Sequence, residues 1–180
     1  TEFLEGLRGK RIFLSGGTGF FGKWLLESFL YLNAEFQLDS HLTILSRHPD
    51  AFFASYPWVK KERSVRWVTG DIRTFDFPEG KFDFVIHAAT EASSKLEREN
   101  PDEMYSVIVE GTRRVLAFAA QAGASRLMLT SSGAVYGPQP CAIEHVPETC
   151  QKTPDTVYGK GKKIAEQMCL DSASGQFECV

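Results

Sequence analysis

The sequence predicts a doubly wound α/β fold, a parallel sheet with helices on both faces, as one domain spanning residues 1–180. Three observations carry that reading. Short apolar runs recur at 11–15, 42–46, 65–69, 82–87 and 126–130, each bounded by polar or glycine residues. Segments with helix-period apolar positions, among them 23–32 and 101–122, lie between these runs. The first run ends in Ser15-Gly16-Gly17-Thr18-Gly19-Phe20-Phe21-Gly22, where a chain leaving a buried strand turns sharply into a helix. Strands alternating with helices imply right-handed crossovers, hence parallel pairing and two covered faces.

The glycine-rich turn is chemistry written as geometry. Gly16 allows the tight turn, Gly19 lets backbone approach a pyrophosphate, and Gly22 lets the helix pack closely on the strand. The first helical N–H groups, with the positive end of the helix dipole behind them, then face the phosphates. Thr18, Phe20 and Phe21 belong to the same turn. Its strand-turn-helix context favours dinucleotide binding over a plain βα turn.

The second run closes on Ser46-Arg47, where NAD enzymes carry an acidic residue for the ribose 2′-hydroxyl. No carboxylate stands there, and an arginine accommodates a 2′-phosphate, so Arg47 leans the cofactor, NAD or NADP, towards NADP. Its other reading is a solvated loop residue. Residues 50–61 are aromatic and irregular, a short helix or loop at the sheet edge. Asp71 follows the third run, where an aspartate also serves to cap the next segment. His87-Ala88-Ala89 ends the fourth run. The small residues would let a cofactor lie against the sheet, and His87 is expected to make a structural hydrogen bond.

Pro101-Asp102-Glu103 suits a helix first turn and Gly123 its end. Ser131 and Ser132 fall at the carboxyl edge, where open α/β sheets bind ligands. Tyr158 and Lys162 share one helix face. A free phenol, with a pKa of about 10, is a poor base at neutral pH, and a neighbouring ammonium stabilises the phenolate. Gly159 and Gly161 would weaken a helix by about 1 kcal/mol each relative to alanine, which points to a close backbone approach. Residues 176–180 look like the start of a further strand. The expectation is a five-stranded parallel core with those residues frayed or borrowed by a neighbour, and a chain truncated before a C-terminal substrate-binding portion.

Composition sets bounds on partners. With 43% hydrophobic and 24% charged residues and a net charge of −3, nucleic acid and anionic membrane surfaces are not the expected partners. No apolar run approaches the about 20 residues of a membrane span. Cys141, Cys150, Cys169 and Cys179 show neither close metal-ligand spacing nor a redox pair, so they read as reduced thiols of a cytoplasmic protein without a metal site.

The segments SGGTGFFG at 15–22, GDI at 70–72, HAA at 87–89, LTSSGAVYG at 129–137 and YGKGK at 158–162 occur in order. Together they resemble the N-terminal, Rossmann-type half of extended short-chain dehydrogenase/reductases, the NAD-dependent epimerase/dehydratase family acting on nucleotide-sugars. The resemblance implies that Asp71 accepts a hydrogen bond from the adenine amino group and that Ile72 packs on the ring. It implies that Ser132 hydrogen-bonds the sugar oxygen, that Tyr158 transfers the proton, and that Lys162 modulates Tyr158 and binds the nicotinamide ribose. It also allows a homodimer of the full-length protein.

Two departures matter. The Asn-Val-x-Gly-Thr pattern of the family reads Ile108-Val109-Glu110-Gly111-Thr112 here, so a polar anchor is absent. The Asp-Glu pair of sugar 4,6-dehydratases is Gly133-Ala134, and neither residue can supply a proton for eliminating water. The expectation is therefore an epimerase-like oxidoreductase passing through a keto-sugar. A 4,6-dehydratase with an atypical acid/base set and a non-catalytic NADP sensor remain the alternatives. The intact Ser132, Tyr158 and Lys162 set argues against the sensor.

Overall fold

The computed structural model describes residues 2–90, 93–139, 141 and 144–180. A short helix α1 (Glu2–Glu5) precedes β1 (Arg11–Ser15), which feeds α2 (Phe20–Glu35) and β2 (His41–Ser46). The aromatic stretch after β2 forms α3 (Pro49–Ser55) and a 3-10 turn (Pro57–Lys61) before β3 (Val65–Thr69). Then come β4 (Phe84–His87), α4 (Ser94–Glu99), α5 (Pro101–Gln121) and β5 (Arg126–Leu129). A second 3-10 turn (Gly133–Tyr136), α6 (Val157–Ser172) and β6 (Glu178–Cys179) complete the order. Pro101 opens α5 as expected, with the Asn100 side chain accepting from Glu103 N–H.

All strands are parallel, in the order β3-β2-β1-β4-β5-β6. The expected five-stranded core is corrected by the last pairing, in which Glu178 and Cys179 align with Arg126 and Leu127. Val180 N–H donates to the Leu127 carbonyl at 2.9 Å, and Leu129 N–H to the Val180 carbonyl at 2.8 Å. Residues 176–180 do not fray because Phe177 and Cys179 pack on the apolar cluster beneath β5.

Strand residues alternate between two cores, as the two-residue period of a pleated strand requires. From β1, Phe13 enters the core formed with α5 and α6, while Ile12 and Leu14 enter the one formed with α2 and α3. Phe118 of α5 packs on Phe13, with centroids 4.6 Å apart, and on Phe82 at 5.2 Å. Burying each such ring contributes about 1.5–3 kcal/mol. Among the described residues no helix is long and apolar enough to cross a membrane.

Candidate functional site

Strand order reverses direction between β1 and β4, and open α/β sheets hold ligands in the crevice at that point. A cavity of about 530 Å3 lies there, walled by the turn after β1, the ends of β2 and β3, and the segment after β4. Gly16, Thr18, Gly19, Arg47, Asp71, Ile72, Ala88 and Ala89, all named from the sequence, line it.

The turn is built as its sequence requires. Gly16 has φ +78°, and a Cβ there would lie 2.5 Å from the Ala88 carbonyl oxygen. A Cβ on Gly22 would collide with the Gly16 carbonyl oxygen and the Gly17 backbone, so α2 sits directly against the turn. Gly19 meets only the Gly16 carbonyl oxygen, at 3.3 Å, which leaves its outer side open.

The helix behind this turn starts differently from the helices after β4. Ser93, Asn100 and Thr156 cap α4, α5 and α6 by accepting backbone N–H groups. In contrast, α2 has no side-chain cap and no acidic residue in its first turn. Its first N–H groups and positive dipole end therefore suit an anion, and the diphosphate of a dinucleotide fits that chemistry. Gly22 is buried behind the turn. Phe20 and Phe21 lie outside the cavity lining, 70% and 68% exposed, edge to face with each other.

At the β3 end, Asp71 and Ile72 both border the cavity. Asp71 is also engaged locally: Arg73 grips its carboxylate through Nε and Nη2, each at 2.8 Å, and through its backbone N–H at 2.9 Å. These hydrogen bonds hold the Asp71 carboxyl at about 2 against the usual 3.8. Glu103 accepts from the same guanidinium at 2.9 Å, tying the Asp71 turn to α5. The buried Ile72 packs against Gly111, the glycine of the Gly-Thr pair in α5.

His87, 2% exposed, makes the structural bonds expected of it. Thr112 donates its hydroxyl to the Ile108 carbonyl at 2.7 Å, so its oxygen accepts from His87 Nε2 at 3.2 Å. That assigns the proton to Nε2 and leaves Nδ1 to accept from the Ser15 hydroxyl at 2.8 Å. Ser15 Oγ in turn accepts from Ala89 N–H at 3.3 Å, which fixes the cavity wall. Burial pushes His87 down to about 3, so the ring stays neutral.

Backbone docking sets α6, which carries Tyr158 and Lys162, against the 3-10 turn that Ser132 caps, and none of the three residues is among those lining the cavity. Ser132, three residues beyond the end of β5 rather than at its tip, accepts from Ala134 N–H at 3.2 Å and caps the 3-10 turn. Gly159 of α6 rests on the Ala134 carbonyl of that same turn, where a Cβ would collide. Gly161 rests on Ile108, the apolar residue at the family's asparagine position, whose Cδ1 would be 3.1 Å from an added Cβ. Lys162 is 2% exposed, with its Nζ 5.9 Å from the Tyr158 ring centroid. Burial lowers Lys162 to about 8.

Several participants escaped the sequence. Glu97 of α4 accepts from Tyr158 N–H at 3.0 Å. Glu166 accepts from the Ser131 hydroxyl at 2.5 Å and pairs with Lys152. The Thr90 hydroxyl meets Lys162 Nζ at 2.9 Å. Cys169 of α6 and Cys179 of β6 are hydrogen-bonded where the two elements meet, and burial pushes Cys169 up to about 12. Sequence signals for these pairings were faint, since each joins separate elements through one side chain.

The chain is 29% identical over 178 residues to UDP-glucuronic acid decarboxylase 1 of Xenopus tropicalis, covering 93% of this chain and 38% of the relative. It is 28% identical over 167 residues to a decarboxylating sterol-4-alpha-carboxylate 3-dehydrogenase of Saccharomyces cerevisiae, covering 88% and 45% respectively. The chain thus spans less than half the length of these curated relatives. In fold it is similar to the UDP-Glc/GlcNAc 4-epimerase of Campylobacter jejuni, with a TM-score of 0.79 at 24% identity over 95% of this chain and 52% of that one. The family model for the NAD dependent epimerase/dehydratase family matches residues 12–180, and this chain belongs to that family.

Proposed function

We propose that residues 1–180 form the cofactor-binding unit of a nucleotide-sugar oxidoreductase of the epimerase kind. One observation carries the reading: an uncapped helix start faces a cavity at the same sheet edge where a buried lysine underlies the Tyr158 ring. In this reading Gly16, Thr18 and Gly19 hold the diphosphate, with Phe20, Phe21 and Gly22 supplying the helix start. Asp71 and Ile72 receive the adenine, while Ala88 and Ala89 form the floor. The nicotinamide, when bound, supplies hydride acceptance and return. Tyr158, as the phenolate that the Lys162 ammonium stabilises, takes the proton of a sugar hydroxyl and becomes the phenol, while Ser132 orients that oxygen. The relatives' remaining length would supply the sugar-binding part.

The elimination of water is disfavoured here. Gly133 is exposed and Ala134 half-buried, and neither has a proton to give. The test uses the full-length enzyme carrying this chain, with NAD and NADP in turn, and a panel of UDP-sugars, followed by proton NMR. Cofactor-dependent interconversion of epimers is expected. Oxidation of a sterol-4-carboxylate instead, with every UDP-sugar inert, would overturn the reading.

Arg47 inclines the site towards a 2′-phosphate. It lines the cavity beside Asp71 and contributes to keeping that carboxyl ionised. Calorimetric titration should show NADP binding more tightly than NAD, with Arg47→Ala narrowing the gap by about ten-fold, the worth of one charge-assisted hydrogen bond. Equal affinities, or an unchanged ratio in the variant, would remove Arg47 from the cofactor's contacts.

A further inference from the structure

The buried ammonium of Lys162 has two acceptors, the Thr90 hydroxyl at 2.9 Å and the Thr130 carbonyl at 2.7 Å. Both are neutral. The carboxylate one turn along α6, Glu166, is already shared between Lys152 and the Ser131 hydroxyl. Thr90 donates its own hydrogen to the Ala89 carbonyl at 2.8 Å, so towards Lys162 it can only accept. Thr90 also lines the cavity, next to Ala88 and Ala89. One side chain therefore touches the ammonium, the backbone after β4 and the ligand space. An ammonium has three hydrogens, and two acceptors leave one for a ligand hydroxyl.

We propose that Thr90 is a positioning residue for Lys162, holding its ammonium charged and fixed behind the cavity wall through a directed chain from Lys162 to Thr90 to the Ala89 carbonyl. The proposal rests on the role given to Lys162 above. A buried cation stays protonated only where acceptors replace its lost hydration. Removing the Thr90 oxygen leaves the Thr130 carbonyl as the remaining acceptor among these contacts. The ammonium then gives up its proton at lower pH.

Other groups near Lys162 do not mimic the effect. On α6 these are Tyr158, Glu166 and Cys169, and on β4 His87. Burial pushes His87 down to about 3 and Cys169 up to about 12, so both stay neutral across the range of interest. Tyr158 and Glu166 are unaltered in the variants compared.

The experiment follows Lys162 directly in cofactor-free protein. Lysine labelled with 13C at Cε is titrated by NMR, with Lys162→Arg used to identify the signal. Thr90→Val, which keeps the shape and loses the oxygen, should lower the Lys162 midpoint by about one pH unit, the worth of one hydrogen bond to a charge. Calorimetry at pH 9 should show NAD binding weakened by about ten-fold, because the charged fraction of Lys162 falls by that factor there when its midpoint drops from about 8 by about one pH unit. Thr90→Ser should restore both. If Val at 90 prevents folding, Thr90→Ala is read in the same way. An unmoved midpoint in the apolar variant, or a serine variant that behaves like it, would overturn the proposal. A midpoint that moves as expected in a protein that binds neither NAD nor NADP upholds the hold of Thr90 on Lys162 and sinks the cofactor reading instead.

Discussion

Tyr158→Phe in the full-length enzyme carrying this chain is expected to lower kcat by about 10²- to 10⁴-fold, the usual worth of a positioned proton-transfer group. NAD affinity should be nearly unchanged. The reason lies in what the substitution leaves alone. The ring packs against the Met104, Ile108 and Ala165 cluster, and phenylalanine keeps that contact. The start of α6 is held by Glu97 at the Tyr158 backbone N–H and by Thr156 at Gly159 N–H, both at 3.0 Å. Only the hydroxyl disappears. Steady-state kinetics beside a cofactor titration decide the matter. A variant that retains a third or more of wild-type turnover would hand the proton transfer to another residue.

The second large effect separates two glycines of one turn. Gly22→Ala should cost about 3 kcal/mol or more of stability, since its new methyl group meets backbone that cannot rotate out of the way. Gly19→Ala should cost far less stability than Gly22→Ala. Gly19 has φ −75° and ψ −178°, open to any residue, and its Cβ would meet a single atom at 3.3 Å. What Gly19→Ala should lose is NAD affinity, because the methyl would stand where the diphosphate must approach. Thermal melts and calorimetry on both variants give the readout. Unweakened NAD binding in Gly19→Ala would mean that the diphosphate does not pass over this turn.

Most of the architecture was legible because its signals are local. Apolar runs at 11–15 and 42–46 became β1 and β2, and Pro101 with Gly123 bracketed α5. The glycine turn announced itself by spacing, and the cavity walls at Arg47, Asp71 and Ala88 followed from strand ends. What escaped depends on distant partners. A strand start at 176–180 was legible, but the pairing of Glu178–Cys179 with β5 was not, since it is set by Phe177 finding the cluster under β5. Asp71 was read as an adenine acceptor or a turn cap, and the grip of Arg73 reaching on to Glu103 needed α5 in place to be seen. Thr90 is one of many threonines until the fold brings Lys162 beside it. The exposure of Phe20 and Phe21 likewise could not be read from an apolar-looking motif.

Gly159 and Gly161 clasp α6 between the turn that Ser132 caps and the Ile108 side chain, so the helix cannot roll without being lifted from both neighbours. Rolling by one residue would swing Tyr158 by about 100° around the helix axis. On the function proposed above, Tyr158 and Ser132 would therefore meet a ligand already assembled, with the entropy of bringing them together lost once, at folding, rather than at each turnover. In such a site the slow motions belong to the ligand and to the loops that admit it. The proposed proton transfer would then begin from a framework with almost no search left to perform.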